Sequence, residues 1–119
     1  MGELKPEHVD PLASLRGVKE LHFQYVDASE AAIIALAKVS GLEVLSLSNT
    51  TVNDGHLNAL TGLKKVRVLR LDSSKITDAH LQKLKLMKGL KQLEVRASEV
   101  TPAGIAAFER DVPGCKVLK

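Results

Sequence analysis

A chain of 119 residues, 45% apolar and 26% charged, makes one small domain of ordinary globular composition, too short for two lobes enclosing a catalytic cleft. A net charge of +3 is too mild to point to nucleic acid by itself, and no apolar run approaches the roughly 18 residues a membrane span needs. The single cysteine, Cys115, rules out an internal disulfide. The unusual feature lies within the apolar share: 19 Leu and 12 Val stand against three rings, Phe23, Tyr25 and Phe108. A core filled by Leu and Val alone predicts a thin, repetitive interior.

In chain order, residues 1–6 carry no apolar run of the kind a secretory leader needs. Pro6 stands where a myristoylation motif requires Ser or Thr. Residues 4–17 then place Leu4, Val9, Leu12 and Leu15 in the register of the back half of a 24-residue repeat. Four full repeats follow, 18–41, 42–65, 66–89 and 90–114, with a partial one at 115–119, and the whole chain is expected to form a single domain. Each full repeat opens on the same apolar beat: Val18, Leu21 and Phe23; Leu42, Leu45 and Leu47; Val66, Leu69 and Leu71; Leu90, Leu93 and Val95. The alternation at the end of each beat predicts a short strand with one buried face. Farther on, apolar residues recur every three positions (Ile33, Leu36 and Val39; Leu57, Leu60 and Leu63; Leu81, Leu84 and Met87; Ile105 and Phe108 with Val112). That stripe predicts a helix.

The punctuation agrees with the period. Ser29, Asn53, Thr77 and Thr101 stand where N-caps belong. Glu30, Asp54, Asp78 and Pro102 follow them, as the first helical position favours. Gly17, Gly41 and Gly89, with Gly114 one place later, are expected to end the helices as C-caps. One extra residue in the last repeat puts Cys115 and Leu118 at the first and fourth positions of the partial fifth.

The recurring Leu42-Glu43-Val44-Leu45-Ser46-Leu47 with Val52, Asp54 and Leu57, and Val66 to Leu71 with Ile76, Thr77, Asp78 and Leu81, resembles the leucine-rich repeat. The Thr-Asp-x-x-Leu-x-x-Leu ending is similar to helix-containing bacterial repeats. The resemblance covers residues 4–118. It implies an α/β solenoid with parallel strands on a concave face and helices on a convex one. The family's ninth position is usually Asn or Cys bonding the next turn. Here it is Val26, Thr50, Ser74 and Ser98, so the first turn, at Val26, is expected to be the loosest.

The resemblance further implies a non-catalytic protein- or peptide-binding module that uses the concave strand face. The alternative is a structural repeat segment, a scaffold with no ligand of its own. The residues expected on the binding face are His22, Gln24, Tyr25, Ser46, Ser48, Arg70, Asp72, Glu94 and Arg96. The expected partner is a protein or peptide, not nucleic acid or membrane, bound by a monomer whose last strand offers an edge for self-association. No cofactor is expected. His8, His56 and His80 share one repeat position, but two neighbouring histidines fall short of the three or four ligands zinc takes. No nucleophile–base motif or phosphate loop is present, so no enzyme is expected. Basic residues gather where helices end and strands begin: Arg16, Lys19, Lys64, Lys65, Arg67, Lys88, Lys91 and Lys116. Complementing the helix dipoles accounts for that rim, and docking of an anionic partner is the sharper reading.

Overall fold

The strands pair at one constant offset. The computed structural model describes residues 2–13 and 17–119. A five-stranded parallel sheet runs in the order β2 (Glu20–Gln24), β4 (Val44–Ser48), β5 (Val68–Arg70), β6 (Gln92–Glu94) and β7 (Lys116–Leu118). Leu21 lies beside Leu45, Leu45 beside Leu69, Leu69 beside Leu93, and Leu93 beside Val117. Every step is one 24-residue period. A second, two-stranded parallel sheet pairs β1 (Gly2–Leu4) with β3 (Val26–Ala28) at the same offset. Strand β1 lies outside the sequence-based expectation. Its partner strand explains it, because Leu4 stands one period before Ala28.

Parallel neighbours need a crossover, and a helix supplies each one. These are α2 (Glu30–Ala35, continued by a 3₁₀ turn at Leu36–Lys38), α3 (Asp54–Leu60), α4 (Asp78–Leu84) and α5 (Pro102–Asp111), with α1 (Pro6–Ala13) preceding them. Each helix packs on the next. The least dimension of 19 Å leaves room for one sheet and one helical layer. The core lies between them: Leu45, Leu47, Leu69, Leu71 and Leu93 from strands meet Leu36, Leu57, Leu60, Leu81 and Leu84 from the stripe, all buried. Phe108 is buried among them, while Phe23, on the first strand of the sheet, is half-buried.

The helices are shorter than the apolar stripe predicts. After Leu60 the chain continues in turns whose N–H groups reach back three residues, Leu63 to Leu60 and Val66 to Leu63; Met87 to Leu84 and Leu90 to Met87 repeat the pattern. A strict period of three matches such tight turns better than an α-helix of 3.6 residues per turn. This corrects the glycine assignment. The C-caps of α2, α3 and α4 are Leu36, Thr61 and Lys85, all right-handed. Among the described glycines only Gly17 and Gly114 take positive φ, +89° and +93°, and the C-cap of α5 is Val112. Gly41 and Gly89 instead sit where a Cβ would approach the carbonyls of Val18 and Lys64 at 3.3 and 3.4 Å.

The N-caps stand where the sequence puts them. Ser29, Asn53, Thr77 and Thr101 each accept the backbone N–H three residues on. At the C-terminal end the register differs from expectation. Val117, not Leu118, lies beside Leu93 and is buried, and Leu118 lies beside Glu94. The extra residue is absorbed by α5 and recovered before β7, so Cys115 keeps a buried position without displacing the strand. Leu15, Arg16 and the side chain of Val26 lie outside the described residues.

Candidate functional site

Strand alternation puts the expected binding residues on the sheet face opposite the core. Register fixes their neighbours. One row across the strands reads His22, Ser46, Arg70 and Glu94. In the next, Gln24 lies beside Ser48, and Asp72 and Arg96 follow on the turns after β5 and β6. The turns after β2, β4, β5 and β6 each hold a residue in the left-handed region, with φ of 54° at Tyr25, 57° at Asn49, 57° at Ser73 and 55° at Ala97. Their N–H groups extend the ladder to the next turn: Tyr25 to the Ser48 carbonyl, Asn49 to Asp72 and Ser73 to Arg96.

Glu94 organises the face. Its residue is only 5% exposed. Arg70 Nε donates to Glu94 Oε2 at 2.5 Å and Gln92 Nε2 to the same oxygen at 2.9 Å, while Arg96 Nη1 donates to Oε1. Arg96 is held twice more, by Asp72 Oδ2 at 3.7 Å and through its backbone N–H on Asp72 Oδ1 at 2.7 Å. Burial by itself would raise the Glu94 carboxyl. The hydrogen bonds from Arg70, Gln92 and Arg96 together outweigh it and hold the group below its ordinary value. Ser46 and Ser48 share a hydrogen bond at 3.3 Å and are sunk between longer neighbours.

The structure therefore joins Arg70, Asp72, Glu94 and Arg96 in one network with Ser46 and Ser48 beside it. His22, Gln24 and Tyr25 stand apart at the β2 end, exposed, with Tyr25 at 59%. No hydrogen bond joins their side chains to the network among the described residues. Gln92 is a member of the network that the sequence does not single out. The signal was available: Arg70 and Glu94, like Asp72 and Arg96, are opposite charges one period apart, which the constant offset turns into neighbours.

The histidines have a different task. Nδ1 of His56 accepts the N–H of Asn53 at 3.1 Å, and Nδ1 of His80 accepts that of Thr77 at 3.0 Å. Each completes a capping box, a role usually filled by Glu or Gln. His8 makes the same bond to Lys5 at 3.0 Å. With Nδ1 an acceptor, the neutral His56 ring carries its proton on Nε2 and donates it to the Ala28 carbonyl at 2.5 Å. Two further carboxylates tie neighbouring repeats. Asp78 accepts both the N–H and the hydroxyl of Thr101, at 2.8 and 2.6 Å, and these bonds hold it below the ordinary Asp value. Asp54 pairs with Lys83 at 3.6 Å. Of the ninth-position hydroxyls, Ser74 alone reaches the preceding repeat, donating to the Leu47 carbonyl at 3.0 Å. Thr50 and Ser98 bond within their own turns.

Cys115 is buried, and burial pushes its thiol up to about 11, helped by Glu109. It stays a protonated packing group at neutral pH. Among the described residues no group of three or more His, Cys, Asp and Glu is gathered as a metal site would need. No helix among them is long and apolar enough to cross a membrane. The chain matches no family model and no curated protein.

Proposed function

We propose that this chain is a leucine-rich-repeat solenoid that binds a protein or peptide, without catalysis, on the strand face opposite its core. The constant 24-residue register with a helix in every crossover supports the solenoid. The observation that carries the binding reading is the Glu94 network. A buried carboxylate on the sheet face opposite the core holds two guanidinium groups in place. Arginines fixed in this way lose less freedom when a partner docks, and more of the contact energy appears as affinity. The exposed Tyr25 adds a rigid ring with a polar tip at one end of the same face, the residue type that dominates binding hot spots.

Peptides selected from a displayed random library, titrated into ¹⁵N-labelled protein, test the reading. Amide shifts are expected along Glu20–Gln24, Val44–Ser48, Val68–Arg70 and Gln92–Glu94. Tyr25→Ala and Arg96→Ala should each weaken a selected peptide by about tenfold, the scale of a hot-spot truncation. Ile34→Asp and Leu86→Asp, both exposed on the helix-bearing segments, should leave affinity unchanged. Shifts confined to the helical layer, or affinity indifferent to Tyr25 and Arg96, would overturn the assignment.

A further inference from the structure

We infer that the rim where helices end and strands begin is a second binding surface, and that it fits an acidic peptide segment with aliphatic residues among its carboxylates. A cleft of about 570 Å³ opens there, lined by Lys19, Lys64, Lys65, Arg67 and Lys91 around one carboxylate, Glu43. Gly41 and Gly89 also line it. Glu43 is engaged by Lys19 at 3.7 Å and Arg67 at 3.9 Å. Among the described residues, Lys64, Lys65 and Lys91 make no ion pair. All three are exposed. Compensation of helix dipoles explains a cation at each helix end. It does not explain three unpaired ammonium groups facing one hollow.

Two features choose the occupant. Register puts Lys19, Glu43, Arg67 and Lys91 in a row at neighbouring positions, about 4.8 Å from strand to strand. The row therefore reads positive, negative, positive, positive. A polyphosphate or nucleic-acid backbone, charged at every unit, would have to lie across Glu43. A peptide can set a neutral residue there and place its acids against Lys64, Lys65 and Lys91. No aromatic residue lines the cleft, so unpaired bases would find no ring to stack on. The second feature is apolar. Hollows of about 240 and 290 Å³ flank Lys64 on the same rim. Leu63 and Val66 line both, joined by Leu42 in one and Met87 in the other. Such hollows accept a leucine or valine side chain beside the lysines that also line them, Lys64 and Lys65 in one and Lys64 and Lys88 in the other, which suits an apolar residue flanked by acids.

Fluorescence anisotropy at low ionic strength tests the inference. The probe is a fluorescein-labelled peptide in which glutamates are spaced by leucine and alanine. Its competitors are the same peptide with alanine for leucine, sodium polyphosphate, and oligo-dT. The wild type is expected to bind the probe in a salt-sensitive manner and to prefer it over all three competitors. Lys64→Glu with Lys91→Glu should weaken binding by about tenfold or more, whereas Lys75→Glu with Arg110→Glu, equal in charge but outside the cleft, should change it by less than about twofold. Glu43→Gln should strengthen polyphosphate binding more than probe binding. Thermal melts by circular dichroism establish that each variant is folded. Equal weakening by the two double variants, tighter binding of oligo-dT or polyphosphate than of the probe, or no binding at low salt would each overturn the inference.

Discussion

Ala97, in the turn after β6, has φ of 55°, a conformation that places its Cβ against the following carbonyl. Tyr25, Asn49 and Ser73 pay the same steric cost at the equivalent turns, and only Asn eases it with a short polar side chain. Ala97→Gly should therefore stabilise the fold by about 0.5–1 kcal/mol, relief of strain exceeding glycine's added freedom in the unfolded chain. Urea denaturation at unchanged m-value checks it. Loss of stability would mean that the turn is relaxed. Glu94 gives a second prediction at this scale. Its carboxyl lies below the ordinary value of 4.5 in the folded state. The ionised group thus contributes stability above that pH, and the contribution fades as pH falls through the lowered folded value. Glu94→Gln should cost about 2–3 kcal/mol at neutral pH, because three donors lose their charged acceptor. The gap to wild type should shrink as pH drops below 4.5. A gap that stays constant down the acid limb would show that the charge of Glu94 contributes nothing.

The helices test how much a single cap holds. His56 links α3 to its own N-cap and to the carbonyl of Ala28 in the preceding repeat. Among the described residues, His80 is hydrogen-bonded only around its own cap. His56→Ala should then cost about 2–3 kcal/mol, combining a lost cap with an unpaired buried carbonyl, while His80→Ala should cost about 1 kcal/mol. Equal losses in chemical denaturation would refute the cross-repeat role. The same elements show what the sequence makes legible. The strands of the five-stranded sheet, the N-caps Ser29, Asn53, Thr77 and Thr101, and nearly every core residue follow from period and alternation, because burial and capping are local demands that each repeat must meet. Helix length did not follow. An apolar spacing of three is shared by α-helix and 3₁₀ turn, and the latter prevails after Leu36, Leu60 and Leu84. Gly41 and Gly89 look like caps in sequence, yet close approach to a neighbouring carbonyl is what they satisfy. The charged network around Glu94 was hidden for another reason. Its members are distant in sequence, and only the pairing offset reveals that Arg70 and Glu94 touch. The capping role of the histidines was hidden because a capping box is usually sought at Glu or Gln.

At the scale of the whole molecule, the proposed solenoid has a consequence that a globule packed around one centre would not share. If each coil contacts only its neighbours, one whole period can be removed without changing the register of what remains. Excision of residues 42–65 joins Gly41 to Val66, an apolar residue where Leu42 had been. Leu21 and Phe23 then face Leu69 and Leu71 in place of Leu45 and Leu47. His80 arrives at the position of His56, ready to donate to the Ala28 carbonyl. Ala79 arrives where Gly55 stood, so the Glu30 carboxylate beside it must swing aside, and Lys19 and Arg67 become neighbours without Glu43 between them. Both are exposed, so their repulsion costs at most about 1 kcal/mol and falls with salt. The shortened chain should fold cooperatively, with a urea m-value lower by about a fifth, in proportion to the surface no longer buried. Excision of residues 42–53 removes half a period, brings a strand against a helix, and should abolish the transition. A non-cooperative 42–65 variant, or a folded 42–53 variant, would show that the packing is not a stack of equivalent coils and would remove the ground for the solenoid reading.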